Sequence, residues 1–471
     1  MNYNISRYLN VIDLGGSVLL FNGVNSCMDE VSGQPAEAFL SRSAERINAL
    51  GSEELETLLK RGHITTLSPE EELVRFKEFV SVMHGNMGKD DRGGGIMLLM
   101  SYNCNLACKY CYQQEHRPHK SRAVMSEAMV ETIFEKQFSN IIKGAQQSFS
   151  NISFYGGEPF LPSNEAVIRK TLGYAKKYGM QSTAISNATM VDLMPDIFGD
   201  GPGFVSRVQV SLDGSKELHD KSRVPLGGEP TYDKILKNIR MMVERKTQVS
   251  IRLNLDKRTM ESVPRLIKDL KDSGILGSKY VNIYASPLHD NIAKVDATDF
   301  VDMADLSSKV FDLGIDLEHP VSMRANEISH LFKLKRGFGL TRTCFCMQTR
   351  QRSVVVDPFG DIYGCFEEAG YPQYRVGHLS ESGVEFFPLH ETYKTRHLAN
   401  LDECAKCPVA LACGGQCGVK SRTKTGDLFK PACDDTKRVI IESVKLAYQN
   451  RNRPAEGASD DKEPDLVSTH G

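Results

Sequence analysis

The sequence predicts an α/β protein: a partial (β/α)6 barrel, preceded by a winged-helix-like module and followed by a cysteine-rich segment. Three observations predict it. Strand-sized apolar runs alternate with helical patterns from residue 96 to 285, as in a parallel sheet wound by β/α repeats. A hairpin pattern and three helical patterns fill residues 1–85. Eleven of the twelve cysteines in the 471-residue chain gather in two groups, at 104–111 and 344–433, leaving Cys27 alone.

In chain order, residues 8–12 and 17–21 flank a Gly15-Gly16 turn, the mark of a β-hairpin. Helical patterns cover 35–49, 53–60 and 70–83, the last opened by Ser68-Pro69. Residues 1–90 carry 8 Lys+Arg against 13 Asp+Glu, a net −5 that phosphates would repel. Peptide docking or packing is therefore expected of the module, not nucleic-acid binding. Glycines 93–95 link it to strands expected at 96–102, 151–155, 183–186, 207–212, 249–255 and 280–285. Helices are expected near 126–138, 164–178, 190–198, 232–244 and 259–272. Six strands make a partial barrel over 95–335, with ligands at the carboxyl ends of its strands. Residues 340–435 read as short and irregular, too poor in apolar pattern for an ordinary core. Residues 436–471 read as a helix and a disordered tail.

Composition narrows the function. The chain is 25% charged and 40% hydrophobic with a formal net charge of −2, which excludes collagen-like, disulfide-miniprotein and fully disordered classes. No apolar run approaches the ~20 residues that span a bilayer. Asp13 and Gly15-Gly16 interrupt the one candidate for a secretory h-region, so a cytoplasmic location is expected. Clustered cysteines in a reducing compartment hold metal or do chemistry more often than they form disulfides.

Cys104, Cys108 and Cys111 lie within eight residues, directly after the first barrel strand. Three thiolates on a [4Fe–4S] cluster leave one iron open to a substrate or cofactor. The alternative is a zinc knuckle with His116 or His119 as fourth ligand. The CxxxCxxC spacing with Tyr110 before the last cysteine resembles the signature of radical S-adenosylmethionine (SAM) enzymes. The resemblance implies that SAM chelates the open iron and is cleaved to methionine and a 5′-deoxyadenosyl radical. Further segments follow in the family's order. Gly156-Gly157-Glu158-Pro159 resembles the GGEP segment that receives the methionyl amino group. Ser186-Asn187 stands in place of a TNG segment, with Ala188 for its glycine, and implies a ribose contact by Asn187. Ser211-Leu212-Asp213-Gly214 matches SLDG, whose serine contacts the cofactor, and Arg223 matches the HDxxR arginine that pairs with the methionyl carboxylate.

The second group resembles the SPASM extension of the same superfamily. Its spacing runs from Cys344-Phe345-Cys346 through Gly360 and Cys365 to Cys404, Cys407, Cys413, Cys417 and Cys433. The resemblance implies two auxiliary [4Fe–4S] clusters, three in all, with metal binding supplying folding energy to this segment. By analogy Cys404, Cys407, Cys413 and Cys433 hold the outer cluster, and Cys365 and Cys417 join the Cys344/Cys346 pair at the inner one. Either both cysteines of that pair ligate, or one is spare and an iron is open to substrate.

With this extension the superfamily divides broadly into maturases of ribosomal peptides and maturases of sulfatases. Sulfatase maturases carry an aspartate directly after the cysteine equivalent to Cys365; here it is Phe366. The N-terminal module resembles the element on which peptide maturases dock a leader as an added strand. The expectation is a peptide maturase forming a thioether or carbon–carbon crosslink, with a leader on 1–85 and an electron donor such as flavodoxin or ferredoxin. Nucleic acid and membrane are not expected as partners. The alternatives are formylglycine formation and a non-catalytic metal-binding adaptor.

Overall fold

The computed structural model describes residues 2–87, 94–116, 123–141, 151–288, 316–317, 342–346, 349, 353–433 and 436–449. The described residues divide into two units, one drawn from 1–89, 318–349 and 395–470, the other from 90–317 and 350–394.

In the first unit, β1 (Asn4–Ile5) pairs with β5 (Ile64–Thr65), and β2 (Leu9–Asp13), β3 (Val18–Asn22) and β4 (Met28–Val31) form an antiparallel sheet with β3 central. The expected hairpin is present, with Leu9 opposite Asn22, and β4 extends it. The run Val18-Leu19-Leu20-Phe21 is unbroken because β3 is covered on both faces. Val18 and Leu20 pack with Phe39, Ile47 and Leu58 of the following helices. Leu19 and Phe21 pack instead with Val409, Ala412, Ile440 and Val444. The module therefore shares its core with the segment from 398 to 444. The expected helix over 35–49 is two helices, Gly33–Leu40 and Ala44–Asn48, broken at Arg42 (φ 50°) and restarted by Ser43, whose side chain accepts from the Arg46 N–H. Helix Pro69–Met87 buries Phe76 and Val80 against Tyr8, Leu398, Leu401 and Leu411.

In the second unit, β6 (Gly95–Leu99), β7 (Asn151–Tyr155), β8 (Gln181–Ser186), β9 (Val205–Leu212), β10 (Gln248–Leu255) and β11 (Val281–Pro287) lie parallel in sequence order. All six expected strands are there. Val208, Val210 and Leu212 of β9 are fully buried, whereas Arg207, Gln209 and Ser211 alternate on a half-buried polar face. The sheet is wider than the sequence indicates: β12 (Asp316–Leu317) adds beyond β11. On the other side β13 (Ser353–Val356) joins β6 in parallel and leads into an antiparallel run of β14 (Asp361–Tyr363), β15 (Arg375–Ser380) and β16 (Gly383–Phe386). Residues 353–386 thus contribute four strands to the sheet, a correction to their reading as irregular. Val354-Val355-Val356 followed by a glycine turn at Gly360 (φ 83°) was the available signal. Gly360 is needed there, because a Cβ would stand 2.4 Å from the Leu379 carbonyl oxygen.

Helices Glu165–Tyr178 and Tyr232–Glu244 follow expectation. The helix expected over 190–198 is instead two 3₁₀ turns, since Pro195 cannot continue a helix begun before it. The tail beyond 450 lies outside the described residues. Among the described residues no helix is long and apolar enough to cross a membrane.

Candidate active site

The first cysteine group forms the loop that leaves β6. It is fastened on both sides by backbone hydrogen bonds. From β7's end, the Gly157 N–H donates to Ser101 O (2.9 Å) and the Glu158 N–H to Asn103 O (2.9 Å). From beyond β9, Leu106 bridges Pro225, the Ala107 N–H donates to Val224 O (2.7 Å) and the Leu226 N–H to Asn105 O (2.9 Å). Gly157 permits this contact: a Cβ would stand 2.0 Å from Asn103 O and 3.0 Å from Cys104 Cβ. Gly156 (φ 134°) turns the chain beside Ser101 in the same way. Farther along, Tyr102 donates to Asp357 (2.7 Å), whose buried carboxyl desolvation pushes up to about 6. Cys104 and Cys108 are buried and Cys111 half-buried, packed with Leu106 and Tyr110.

The ends of β7 and β8 are joined through Glu158. Its fully buried carboxylate accepts from Ser186 Oγ (2.8 Å), the Asn187 N–H (2.8 Å) and the Phe160 N–H (3.1 Å). Desolvation raises the pKa of this carboxyl, and those donors and Arg223 pull against it. The carboxylate that the resemblance assigns to the cofactor amine thus also braces the neighbouring strand end. Asn187 points at the cysteine loop: its amide donates to Asn105 Oδ1 (2.9 Å) and lies 3.7 Å from Cys104 Sγ. Ala188, standing where the family has glycine, adopts the left-handed backbone a glycine would take (φ 59°).

The end of β9 carries a buried charged group. The Tyr110 hydroxyl donates to Asp213 Oδ2 (2.5 Å) and accepts from Arg223 Nη1 (2.7 Å), while Asn254 donates to Asp213 Oδ1 (3.0 Å). Arg223 Nη1 is 3.7 Å from Asp213 Oδ1. Burial opposes the Arg223 charge, yet Tyr110, Cys108 and Asp213 hold its pKa well above the ordinary value. Burial pushes the Asp213 carboxyl up, with Arg223, Tyr110 and Asn254 pulling against it. Buried His219, driven down to about 3 by desolvation, is neutral and accepts from the Asp213 N–H (3.3 Å). Ser211 is half-buried in the β9 ladder, opposite Arg252 of β10.

Thus Cys104, Cys108, Cys111, Tyr110, Gly156, Gly157, Glu158, Asn187, Ser211, Asp213 and Arg223 all lie in the second unit, at or just beyond the carboxyl ends of β6 to β9. These residues fit a cluster with a bound amino-acid cofactor. The thiols sit in a loop fixed from both sides, and Arg223 Nε is a buried donor with no partner among the described residues, beside Cys108. Such a fork suits a carboxylate. Among the described residues no group of three His, Cys, Asp or Glu would suit a single metal ion, and a four-iron cluster is broader than an ion. His116, considered as a zinc ligand, is buried between the rings of Tyr102 and Tyr371, and His119 lies outside the described residues.

The second cysteine group is divided. Cys365 follows β14 in the second unit, while Cys344, Cys346, Cys404, Cys407, Cys413, Cys417 and Cys433 belong to the first. Burial raises the Cys404 thiol, and Cys413, Cys433 and Cys407 lie near enough to raise it further. The Cys344 segment is tied to the same region by Arg342 N–H to Leu411 O (2.9 Å) and Leu398 N–H to Thr343 O (2.8 Å). Glu368, three residues after Cys365, is buried and accepts from the Tyr393 hydroxyl (2.6 Å).

Three site residues escaped the sequence reading. Asn105 ties Asn187 to Thr189, and Asn254 holds Asp213. Asn254 could have been found, being a polar residue near the carboxyl end of a barrel strand. Tyr155, which hydrogen-bonds Tyr112 and packs its ring 5.3 Å from Phe366, could not, because its partners are remote in sequence.

Residues 98–270 match the family profile of the Radical SAM superfamily. A cysteine-type anaerobic sulfatase-maturating enzyme of Clostridium novyi is 24% identical over 322 residues, 65% of this chain and 82% of that protein. The radical SAM cyclopropyl synthase TigE of Paramaledivibacter caminithermalis is 23% identical over 380 residues, 75% of each. The structure of Streptococcus suis SuiB bound to precursor peptide SuiA has a similar fold, with a TM-score of 0.52, 16% identity and coverage of 92% of this chain and 99% of that one. The family implies SAM and a [4Fe–4S] cluster. With its α/β fold, its cysteine loop and these relatives, the chain is an enzyme of the radical SAM superfamily.

Proposed function

We propose that this enzyme matures a ribosomally made precursor peptide, docking a leader on its N-terminal module and modifying a core residue at the open ends of the barrel strands. The observation that carries the reading is the reach of the fold likeness: it extends over 92% of this chain with SuiB, against 76% with the anSMEcpe structure. The site favours it too. Where a sulfatase maturase carries an aspartate, Phe366 packs its ring on Tyr155 and its carbonyl accepts from the Tyr112 hydroxyl (3.4 Å).

When bound, the reduced cluster and SAM supply a 5′-deoxyadenosyl radical that takes a hydrogen from the substrate. The chain's residues position that chemistry. Cys104, Cys108 and Cys111 offer three thiolates; Arg223 holds a carboxylate; Tyr110, Asp213 and Asn254 fix the arginine; Glu158 and Asn187 hold the adjoining strand ends against the cysteine loop. Forming a thioether or carbon–carbon bond after hydrogen abstraction leaves one electron to remove. Cys404, Cys407, Cys413 and Cys433 would hold one of two auxiliary [4Fe–4S] clusters in the second cysteine group, which would supply an acceptor for that electron. Flavodoxin or ferredoxin supplies the reducing electron. Formylglycine formation is the second reading, favoured by the sequence relatives.

Leader docking has a structural test. The Asn22 N–H donates to Cys27 O (2.9 Å), and continuing that register turns the backbone groups of Met28 and Glu30 away from β3, toward the outer edge. Arg61 already uses this edge, donating to Met28 O (3.0 Å). Proline at an outward position removes no ladder bond but denies an incoming strand its donor. Glu30→Pro is therefore expected to weaken leader binding about tenfold or more, the worth of one or two strand hydrogen bonds, while SAM cleavage without peptide is unchanged. Fluorescence anisotropy with a labelled leader checks this; unchanged affinity in Glu30→Pro would remove β4 as the docking edge.

A further inference from the structure

Arg396 is among the largest fully buried side chains of the protein, and its environment is unusual for a cation. Its guanidinium donates to Leu428 O (2.7 Å), Gln416 O (2.8 Å), Gly415 O (2.9 Å) and Ser421 Oγ (3.0 Å). All four acceptors are neutral, and no carboxylate pairs with it among the described residues. The ionisable groups near it are thiols, Cys417, Cys346, Cys404 and Cys413, whose charged form opposes the fall in its pKa that burial causes. The two carbonyls it holds, Gly415 and Gln416, stand in the chain between Cys413 and Cys417. Gly418, one residue beyond, leaves so little room that a Cβ would lie 3.2 Å from the Arg396 Nε. All of these residues belong to the first unit.

Desolvating a cation is costly unless an opposite charge is buried with it. Hydrogen bonds to carbonyls satisfy the N–H groups but leave the charge uncompensated. An iron–sulfur cluster held by thiolates is a net anion, and its reduction potential rises when positive charge and donors stand near its sulfurs.

We propose that Arg396 is the buried counter-charge of the auxiliary iron–sulfur clusters, standing between thiols assigned to both and raising their reduction potential so that they accept an electron from the modified peptide. This rests on the reading of the second cysteine group as cluster ligands. The guanidinium thereby has two separable parts. Its fork fastens the 415–428 loop, and its charge acts on the clusters; lysine keeps the charge and gives up most of the fork.

The test uses full-length protein carrying Cys108→Ala, so that the first cluster contributes no signal, with Arg396→Lys and Arg396→Gln added. Iron content and redox titration followed by electron paramagnetic resonance are the readouts. The expected result is that Arg396→Lys keeps the parent's auxiliary iron and midpoint potential. Arg396→Gln either titrates at a lower potential or loses auxiliary iron. Lysine and glutamine variants that behave alike, in iron content and in potential, would overturn the proposal, because the fork alone would then matter. A parent protein without auxiliary iron would instead overturn the cluster reading itself, so the two failures are distinguishable.

Discussion

Cys108→Ala is expected to abolish reductive cleavage of SAM while leaving the auxiliary clusters in place. Cys108 is one of three thiols in a loop that β7's end and residues 224–226 hold from opposite sides, so no other thiol in the loop can replace it. On three four-iron clusters the reconstituted wild-type protein carries about twelve irons and the variant about eight. 5′-Deoxyadenosine formed on reduction should fall by at least ~10³-fold, the scale on which removing an essential participant acts. The fold should survive, since Cys108 packs in a small group with Leu106, Cys104, Tyr110 and Cys111 and not in the main core. Iron and sulfide analysis beside chromatography of the cleavage products checks both halves. A variant that keeps all its iron would mean that this loop holds no cluster.

Asp213→Leu carries the second large effect, and it falls on stability. The substitution leaves the buried Arg223 without its carboxylate and the Tyr110 hydroxyl and Asn254 amide without their acceptor. Breaking a buried pair in this way costs about 3–5 kcal/mol. A leucine of similar volume fills the space, so the loss reports the uncompensated charge more than a cavity. Denaturant unfolding measures it. SAM should recover part of the loss, because a carboxylate brought to Arg223 replaces the missing charge, and the melting-temperature rise on adding SAM should exceed that of wild type. A loss below ~1 kcal/mol would show that Arg223 does not depend on Asp213.

The barrel was legible in the sequence because its strands are short apolar runs separated by helices of regular period. The candidate site was legible because its residues collect at strand ends in chain order. Asp213 and Arg223 could be placed beyond the end of one barrel strand from their motifs, but Tyr110 as the hydroxyl linking them could not, since that contact depends on the loop's path after Cys104. Strands β13 to β16 were missed for a related reason. Cysteines and short runs dominate 344–433, and Val354-Val355-Val356 finds its burial only by pairing with β6, some 250 residues earlier. Likewise the unbroken apolar run of β3 gives no hint that one face of the hairpin sheet packs on residues 409–444. Arg396 was invisible for the opposite reason: a lone arginine between cysteines reads as a solvated side chain until its burial is seen.

The proposed function requires that the radical act on a peptide. The most direct measurement is transfer of deuterium into 5′-deoxyadenosine when the reconstituted, reduced enzyme is given SAM and a deuterated precursor peptide with its leader. A candidate peptide is to be sought as a short reading frame beside the gene. The expected result is deuterated 5′-deoxyadenosine together with a peptide lighter by two hydrogens per modification. Unlabelled 5′-deoxyadenosine with an unaltered peptide, or transfer from a sulfatase-derived peptide that lacks any leader, would contradict it.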